Sequence, residues 1–358
     1  NVKSTTDGRY KWLFGAFGFW QGIDNTVTLD YFTKDYATRK LYDTPAYGVA
    51  FYHQSTIDDL LTRGLSLTFG LRYDYEHTSN DFLFYKETDG GSEQMEAFDS
   101  RLKFSQVTPK IALQYMFPST GMLYATVTKG YKTGGFNTSF DREEDRTFRP
   151  ETSWNYELGA KHPFLDNRLN AEFCFFWIDW KNQQIYQMLA TQNGQFLRNA
   201  GRSESKGVEV SLQGNPVNGL MVQVNYGFTH ATFRDYKDER RGIDYSGDFL
   251  PMVPRYTFAV GADYTIPNPC RHIDRVTISA NYTGTGRILW KEDNKVSQPY
   301  YGLLNAKVSA TKDFITFAIW AKNMTGADYS AFYFETGGKG LAQKGRPFTI
   351  GGDIQMSL

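Results

Sequence analysis

The chain has 358 residues, with 39 Lys+Arg balanced by 39 Asp+Glu and a formal net charge of zero. That balance argues against a nucleic-acid partner, which needs a basic footprint, and a 16% aromatic content excludes collagen-like and disordered classes. No run of eighteen apolar residues argues for a membrane-spanning helix, yet 24 Tyr, 28 Phe and 7 Trp stand in a chain of mean hydropathy −0.50.

The elements predicted in chain order resolve that tension. Asn1 to Trp20 carry no basic n-region and no h-region ending at a cleavage site, so the chain opens on a strand, as a processed chain or a fragment would. This first strand, 9–20, holds the longest apolar stretch, Trp12 to Trp20. Strands follow near 47–55 and 65–76; in the latter, Leu65, Leu67, Phe69, Leu71, Tyr73 and Tyr75 alternate with Ser66, Thr68, Gly70, Arg72 and Asp74. Next come 103–116, 121–129 and 152–162, the last alternating Trp154, Tyr156, Leu158 and Ala160 with Ser153, Asn155, Glu157, Gly159 and Lys161. Two longer strands are expected at 168–188 and 195–213, then 219–230, 255–265, 274–284, 300–311, 314–323 and 346–357. A strand turns alternate residues to opposite faces, so each of these roughly fourteen strands has one apolar and one polar face.

The connections alternate as well. Long ones fall near 21–46, 77–102, 131–150, 231–253, 285–299 and 324–345; short ones near 56–64, 117–120, 163–167, 214–218, 266–273 and 312–313. The brief connection at 189–194 takes a long slot, between the longest strands, and reads as a tall hairpin. The short turns are rich in turn formers, as in Leu165-Asp166-Asn167 and Gly214-Asn215-Pro216. Long loops at one end and tight turns at the other describe a transmembrane, antiparallel up-and-down β-barrel of an outer membrane, with its apolar face on lipid. Tyr73, Tyr75, Tyr115, Phe117, Tyr226, Phe228, Tyr264 and Tyr282, near strand ends, suit the aromatic girdles at the headgroups. An even strand count puts both ends on the short-turn, periplasmic side.

Leu123-Tyr124-Ala125 through Lys129-Gly130-Tyr131-Lys132-Thr133-Gly134-Gly135-Phe136-Asn137 resembles a hallmark strand of TonB-dependent outer-membrane receptors. Further matches follow in order: Pro150-Glu151 with Tyr156-Glu157-Leu158-Gly159-Ala160-Lys161, then Leu165-Asp166-Asn167-Arg168-Leu169, then Asn199-Ala200-Gly201 with Gly207-Val208-Glu209. Lys322-Asn323-Met324-Thr325 and Gly345-Arg346-Pro347-Phe348 complete the set. The ending Met356-Ser357-Leu358 departs from the family's aromatic terminus.

The resemblance implies a barrel of 22 strands behind a plug domain and a TonB box. At about 26 residues per strand and connection, such a barrel needs about 570 residues. Residues 1–358 are therefore expected to be the C-terminal portion of the barrel, with the N-terminal plug and first strands absent. The implied activity is ligand-gated import in the outer membrane of a Gram-negative bacterium, with a ferric siderophore as cargo. The implied partners are outer-membrane lipid, a plug in cis, and TonB-ExbB-ExbD through the missing N-terminal region.

Candidate ligand contacts come from loops that mix aromatic and basic residues: Tyr85, Phe136, Arg142, Arg146, Tyr236, Arg240, Arg241, Trp290, Lys291, Tyr329 and Tyr333. Aromatic faces beside guanidinium groups suit a flat anionic metal chelate. Arg72, Glu157, Lys161 and Glu209 are expected on the polar face, toward lumen and plug. Gly130, Gly134 and Gly135 permit positive φ and close backbone approach, as at a barrel rim. No catalytic constellation, metal-ligand cluster or intrinsic cofactor motif is seen: His53, His77, His162, His230 and His272 are scattered, and neither Cys174 nor Cys270 belongs to a CxxC. The cysteines read as two free thiols or one disulfide. Cobalamin, haem or oligosaccharide cargo, a passive fourteen-stranded channel and a soluble β-rich binding protein remain alternatives.

Overall fold

The computed structural model describes residues 1–5, 8–140, 142–189, 195–199, 201–238, 242–336 and 339–357. Among them, the only helical turn is the 3-10 segment Glu143–Asp145. No helix is long and apolar enough to cross a membrane, which says nothing about crossing by strands. The chain falls into two compact units. The first is Asn1–Ala112 with Val127–Trp154 and Trp180–Ala200; the second is Leu113–Thr126 with Asn155–Asp179 and Gly201–Leu358.

In the first unit, Tyr10–Gln21 pairs antiparallel with Ala46–Ile57 along its whole length, Tyr10 facing Ile57 and Gln21 facing Ala46. Ala46–Ile57 pairs in turn with the lower part of Leu65–Thr88. The predicted connections are not loops here. The 21–46 connection is a hairpin, Asp24–Tyr31 with Tyr36–Asp43, whose second strand pairs with the upper part of Leu65–Thr88 from Ala37↔Glu87 to Asp43↔Asp81. The expected strand 65–76 therefore runs on to Thr88 and the expected 103–116 begins at Gly91. Backbone N–H and C=O groups along the extension need partners, and the added hairpin supplies them. At 24 residues, roughly 80 Å, the strand is more than twice the about 9–11 residues that a tilted strand needs to cross a bilayer.

In the second unit, strands adjacent in sequence pair in succession, all antiparallel: Arg202–Val217, Leu220–Asp235, Tyr256–Cys270, Ile273–Thr285, Tyr301–Lys312, Ile315–Lys322 and Thr349–Met356. The short connections turn through left-handed residues, such as Leu165, Asp166 and Asn167 with φ of 54, 53 and 66° and Asp313 with φ of 50°. The 324–345 connection contains a second hairpin, Ser330–Thr336 with Lys339–Lys344.

Two expected strands are divided. Leu169–Lys181 stops where Asn182 takes φ of 53°, and Gln184–Met188 forms its own hairpin with Gln195–Asn199. Arg202–Val217 is likewise separate from Gln195–Asn199. The hairpin expected around 189–194 is present in its strands, while 190–194 lie outside the described residues. Cys174 and Cys270 are free thiols.

The two faces of the sheet differ as the alternation requires. Tyr264, Ile278, Val308 and Ile319 face one another across successive strands, and all four are largely exposed, Ile319 at 66%. Three residues along each strand, and so on the other face, Gln223, Gly261, Asn281 and Asn305 form the counterpart row, with Asn305 Nδ2 donating to Asn281 Oδ1 at 2.9 Å. An exposed apolar row that crosses several strands is what a sheet facing hydrocarbon presents.

Candidate functional site

The extended strands of the first unit carry a packed aromatic core. Tyr42 and Phe82 are directly opposed, with ring centroids 5.0 Å apart, and Phe82 is 1% exposed. Phe98 stacks 4.7 Å from Phe82, and Phe140, from the 133–150 loop, lies 5.8 Å from both. The Arg146 guanidinium sits 4.0 Å above the Phe98 ring and is held by Glu96 at 2.6 Å and Glu143 at 3.0 Å. Tyr42 Oη donates to the Thr138 carbonyl, and Lys40 Nζ lies over the rings of Phe84 and Phe140. Burial lowers the Lys40 ammonium from its ordinary value despite the pull of Glu96, and raises the Tyr42 phenol.

Three motif residues lock the neighbouring segments together. Asn137 Nδ2 donates to the Asp145 and Leu197 carbonyls, both at 2.8 Å, while its Oδ1 accepts from Leu197 N–H at 2.7 Å. Asn199 Oδ1 accepts from Arg149 N–H at 2.7 Å, and its Nδ2 donates to the Arg149 and Asn182 carbonyls. The buried Glu151 carboxylate accepts the Gln184 N–H at 2.6 Å. Gly134 fits because a Cβ there would collide with the Phe148 carbonyl. Gly130, Gly134 and Gly135 are not among the positive-φ glycines; at Gly134 the close approach, not a left-handed backbone, requires glycine.

The second unit repeats this construction with different residues. Phe233 is fully buried, 4.9 Å from Tyr236, which stacks on Tyr245 at 5.3 Å. Asn294 bridges to the preceding loop through Phe249, accepting its N–H at 2.8 Å and donating to its carbonyl at 3.0 Å. Lys291 Nζ meets Glu335 at 2.8 Å and Tyr333 Oη donates to the same carboxylate at 2.9 Å, which brings three loop side chains to one point. Burial alone would lower the Lys291 ammonium, but the Glu335 hydrogen bond and the Asp293 charge outweigh it and hold the group above its ordinary value. Asn323, 4% exposed and at φ 49°, accepts from Ala327 N–H and donates to the Ala327 and Arg346 carbonyls.

The sequence candidates are thus distributed over distinct settings. Arg146, Tyr236 and Trp290 are held within loop cores, Tyr236 at 3% and Trp290 at 8% exposure. Tyr85 lies under the Arg39 guanidinium at 5.6 Å, Phe136 pairs across a two-residue strand with Thr147, and Tyr329 stacks on Tyr301 at 4.2 Å. Arg142 is exposed and 3.3 Å from Glu144. Arg240 and Arg241 lie outside the described residues.

On the polar face, Arg72 grips Asp74 at 2.6 Å beneath the Tyr52 ring. Glu157, Lys161 and Glu209 line one cavity of about 750 Å³ in the second unit, where Lys161 pairs with Glu172 at 2.8 Å. Sequence reasoning missed Phe98, Glu96, Gln184 and Asn294, and gave no task to Asn137, Asn199 and Asn323. The available signal was an asparagine recurring where a loop meets a strand, since asparagine both tolerates left-handed backbone and bonds main-chain groups.

Residues 2–324 match the family described as TonB dependent receptor-like, beta-barrel. The chain is 23% identical over 293 residues to the pesticin receptor of Yersinia pestis, covering 81% of this chain and 41% of that protein. Its fold superposes on the ferric yersiniabactin uptake receptor FyuA from Yersinia pestis with a TM-score of 0.82 at 20% identity, over 99% of this chain and 52% of that one. The ferric-catecholate import receptor Fiu from E. coli K12 gives a TM-score of 0.68 at 17% identity, over 97% of this chain and 54% of that one. The chain thus spans about half the length of the relatives it matches, or less. With nine-tenths of its length matched, and with antiparallel strands that carry one exposed apolar face, this chain belongs to the TonB-dependent receptor β-barrel family.

Proposed function

We propose that the chain is the C-terminal portion of the barrel of an outer-membrane import receptor, and that its cargo is a ferric siderophore. The observation that carries the cargo is the loop chemistry: aromatic faces and cations held side by side on scaffolds that are already packed. Lys291 and Tyr333, which meet at Glu335, with Tyr329, Tyr85, Phe136 and Arg142 on their separate loops, would meet an anionic aromatic chelate by charge, stacking and cation–π contact. Arg240 and Arg241 would add charge from the 236–245 loop. Arg146, Tyr236 and Trp290 would act by holding the loops that present the others. The names of the ferric yersiniabactin and ferric-catecholate receptors support this cargo class.

In this reading the plug, in cis, fills the lumen against Arg72, Glu157, Lys161 and Glu209, and TonB-ExbB-ExbD drives its movement from the periplasmic side. The barrel is a passage and carries out no covalent chemistry. Uptake of radioiron by a deletion strain complemented with the full gene tests the reading. Ferric-chelate uptake should depend on both the gene and TonB. Unchanged iron uptake with lost cobalamin or oligosaccharide uptake would overturn the cargo.

A further inference from the structure

The stretch Trp12 to Trp20 breaks the alternation that Leu65 to Tyr75 keep. A strand with one apolar face skips every second residue, whereas a strand covered on both faces reads as a near-continuous apolar run. Tyr10–Gln21 is of the second kind. It shows Phe14 and Trp20 on the lipid face, 54% and 77% exposed, and Phe17 on the other, 53% exposed.

The register fixes that other face. Directly opposed residues share a side, and the rows run Gly15–Tyr52–Arg72, Phe17–Ala50–Asp74 and Phe19–Gly48–Glu76. These rows belong to the polar face that carries Arg72. The Phe17 and Phe19 rings lie 6.1 Å apart. The Phe19 ring fills the space that a Cβ would need at Gly48, and the Tyr52 ring does the same at Gly15. Small residues thus let two rings lie against the wall, while Phe17 keeps half of its surface open.

The charge beside this patch is acidic. Asp74 is taken by Arg72 at 2.6 Å, while Glu76 has no hydrogen-bond or ion-pair partner among the described residues. Lumen water leaves such a patch uncovered at a cost that grows with its apolar area, and lipid lies on the opposite face. An anionic chelate would be repelled by Glu76. A chain segment that brings apolar side chains to the rings and a cation to Glu76 satisfies both. The relatives hold that much further chain, since this one spans 41% of the pesticin receptor and 52% of FyuA.

We propose that Phe17, Phe19 and Tyr52 dock an apolar segment of the plug, in cis, with a Lys or Arg of that segment on Glu76. The inference rests on the proposal that a plug fills the lumen, and is independent of the cargo. It adds an apolar anchor to a lumen wall whose other plug-facing residues are charged.

The test uses the complete receptor. Irradiated with Phe17→p-benzoylphenylalanine in place, residue 17 should join to plug peptides, identified by mass spectrometry. Phe14→p-benzoylphenylalanine, on the lipid face, should join to none. In a second measurement Phe17→Asn should speed amide exchange of the joined plug segment about ten-fold, and Glu76→Gln about three-fold, with exchange along 65–88 unchanged. Crosslinks confined to the barrel, or plug exchange unaltered in Phe17→Asn, would overturn the proposal. If Phe17→Asn fails to fold, the crosslink decides, because it exchanges one aromatic side chain for another. A complete gene with no plug ahead of the barrel would remove the plug reading and this inference together, whereas a plug that is present but never joined to residue 17 defeats this inference alone.

Discussion

In the strand wall of the second unit Phe317 is 57% and Ile319 66% exposed, whereas in the loops of the same unit Phe233 is wholly buried and Tyr236 3% exposed. The first unit shows the same inversion, with Phe51 at 60% on the wall and Phe82 at 1% in the loop layer. One residue class thus serves two solvents. Where lipid surrounds the sheet, apolar side chains gain by facing outward. Where water surrounds it, they must find one another, and the extended hairpins give them a surface on which to do so. The loops are consequently small folded cores with their own hydrogen-bond locks.

The largest expected effect breaks the loop side of this contrast. Phe82→Ala should cost about 3–5 kcal/mol locally, read as faster amide exchange across 80–98, while Phe51→Ala should leave that exchange unchanged. Equal exchange in the two variants would end the distinction. On the wall, Ile319→Arg should destabilise the protein in lipid vesicles by about 2–4 kcal/mol toward urea, against little for Asn281→Arg on the polar face. A reversed order would mean that the faces are assigned the wrong way round.

Asn323→Ala should loosen 323–346 by about 1–3 kcal/mol, because the Ala327 and Arg346 carbonyls lose a buried donor. Amide exchange of that loop, measured against a wild-type wall, sharpens the claim that loops are locked independently. The smallest effect is in pH. Burial depresses Lys40 below its ordinary 10.5, so the unfolded chain holds that proton more tightly and loop stability should rise with pH up to about 10.5. Tyr42 is raised above its ordinary 10.0, so the unfolded chain ionises first and stability should fall as pH passes that value. Lys40→Met should remove the rise and Tyr42→Phe the fall, in proteolysis of the loop between about pH 8 and 11.

The wall was legible because its rule is local. Leu65 to Tyr75 state their faces by position alone, and Leu165-Asp166-Asn167 announces a turn by residue type. The loop layer was not. The 21–46 and 77–102 connections were expected as loops, yet they form one extended surface because Tyr36–Asp43 finds Leu65–Thr88 across the chain. Arg146 reads as a free cation in sequence; its partners Glu96 and Phe98 lie about fifty residues away, and no periodicity links them.

The sequence by itself determined an all-β chain, its period, its tight turns and its paradox of many aromatics at a hydrophilic average, since each follows from neighbours along one strand. The tertiary structure alone decided which aromatics fill a loop core and which loop cations are taken up by partners. Those outcomes depend on pairing between strands far apart in the chain, where register and the surrounding solvent choose the side.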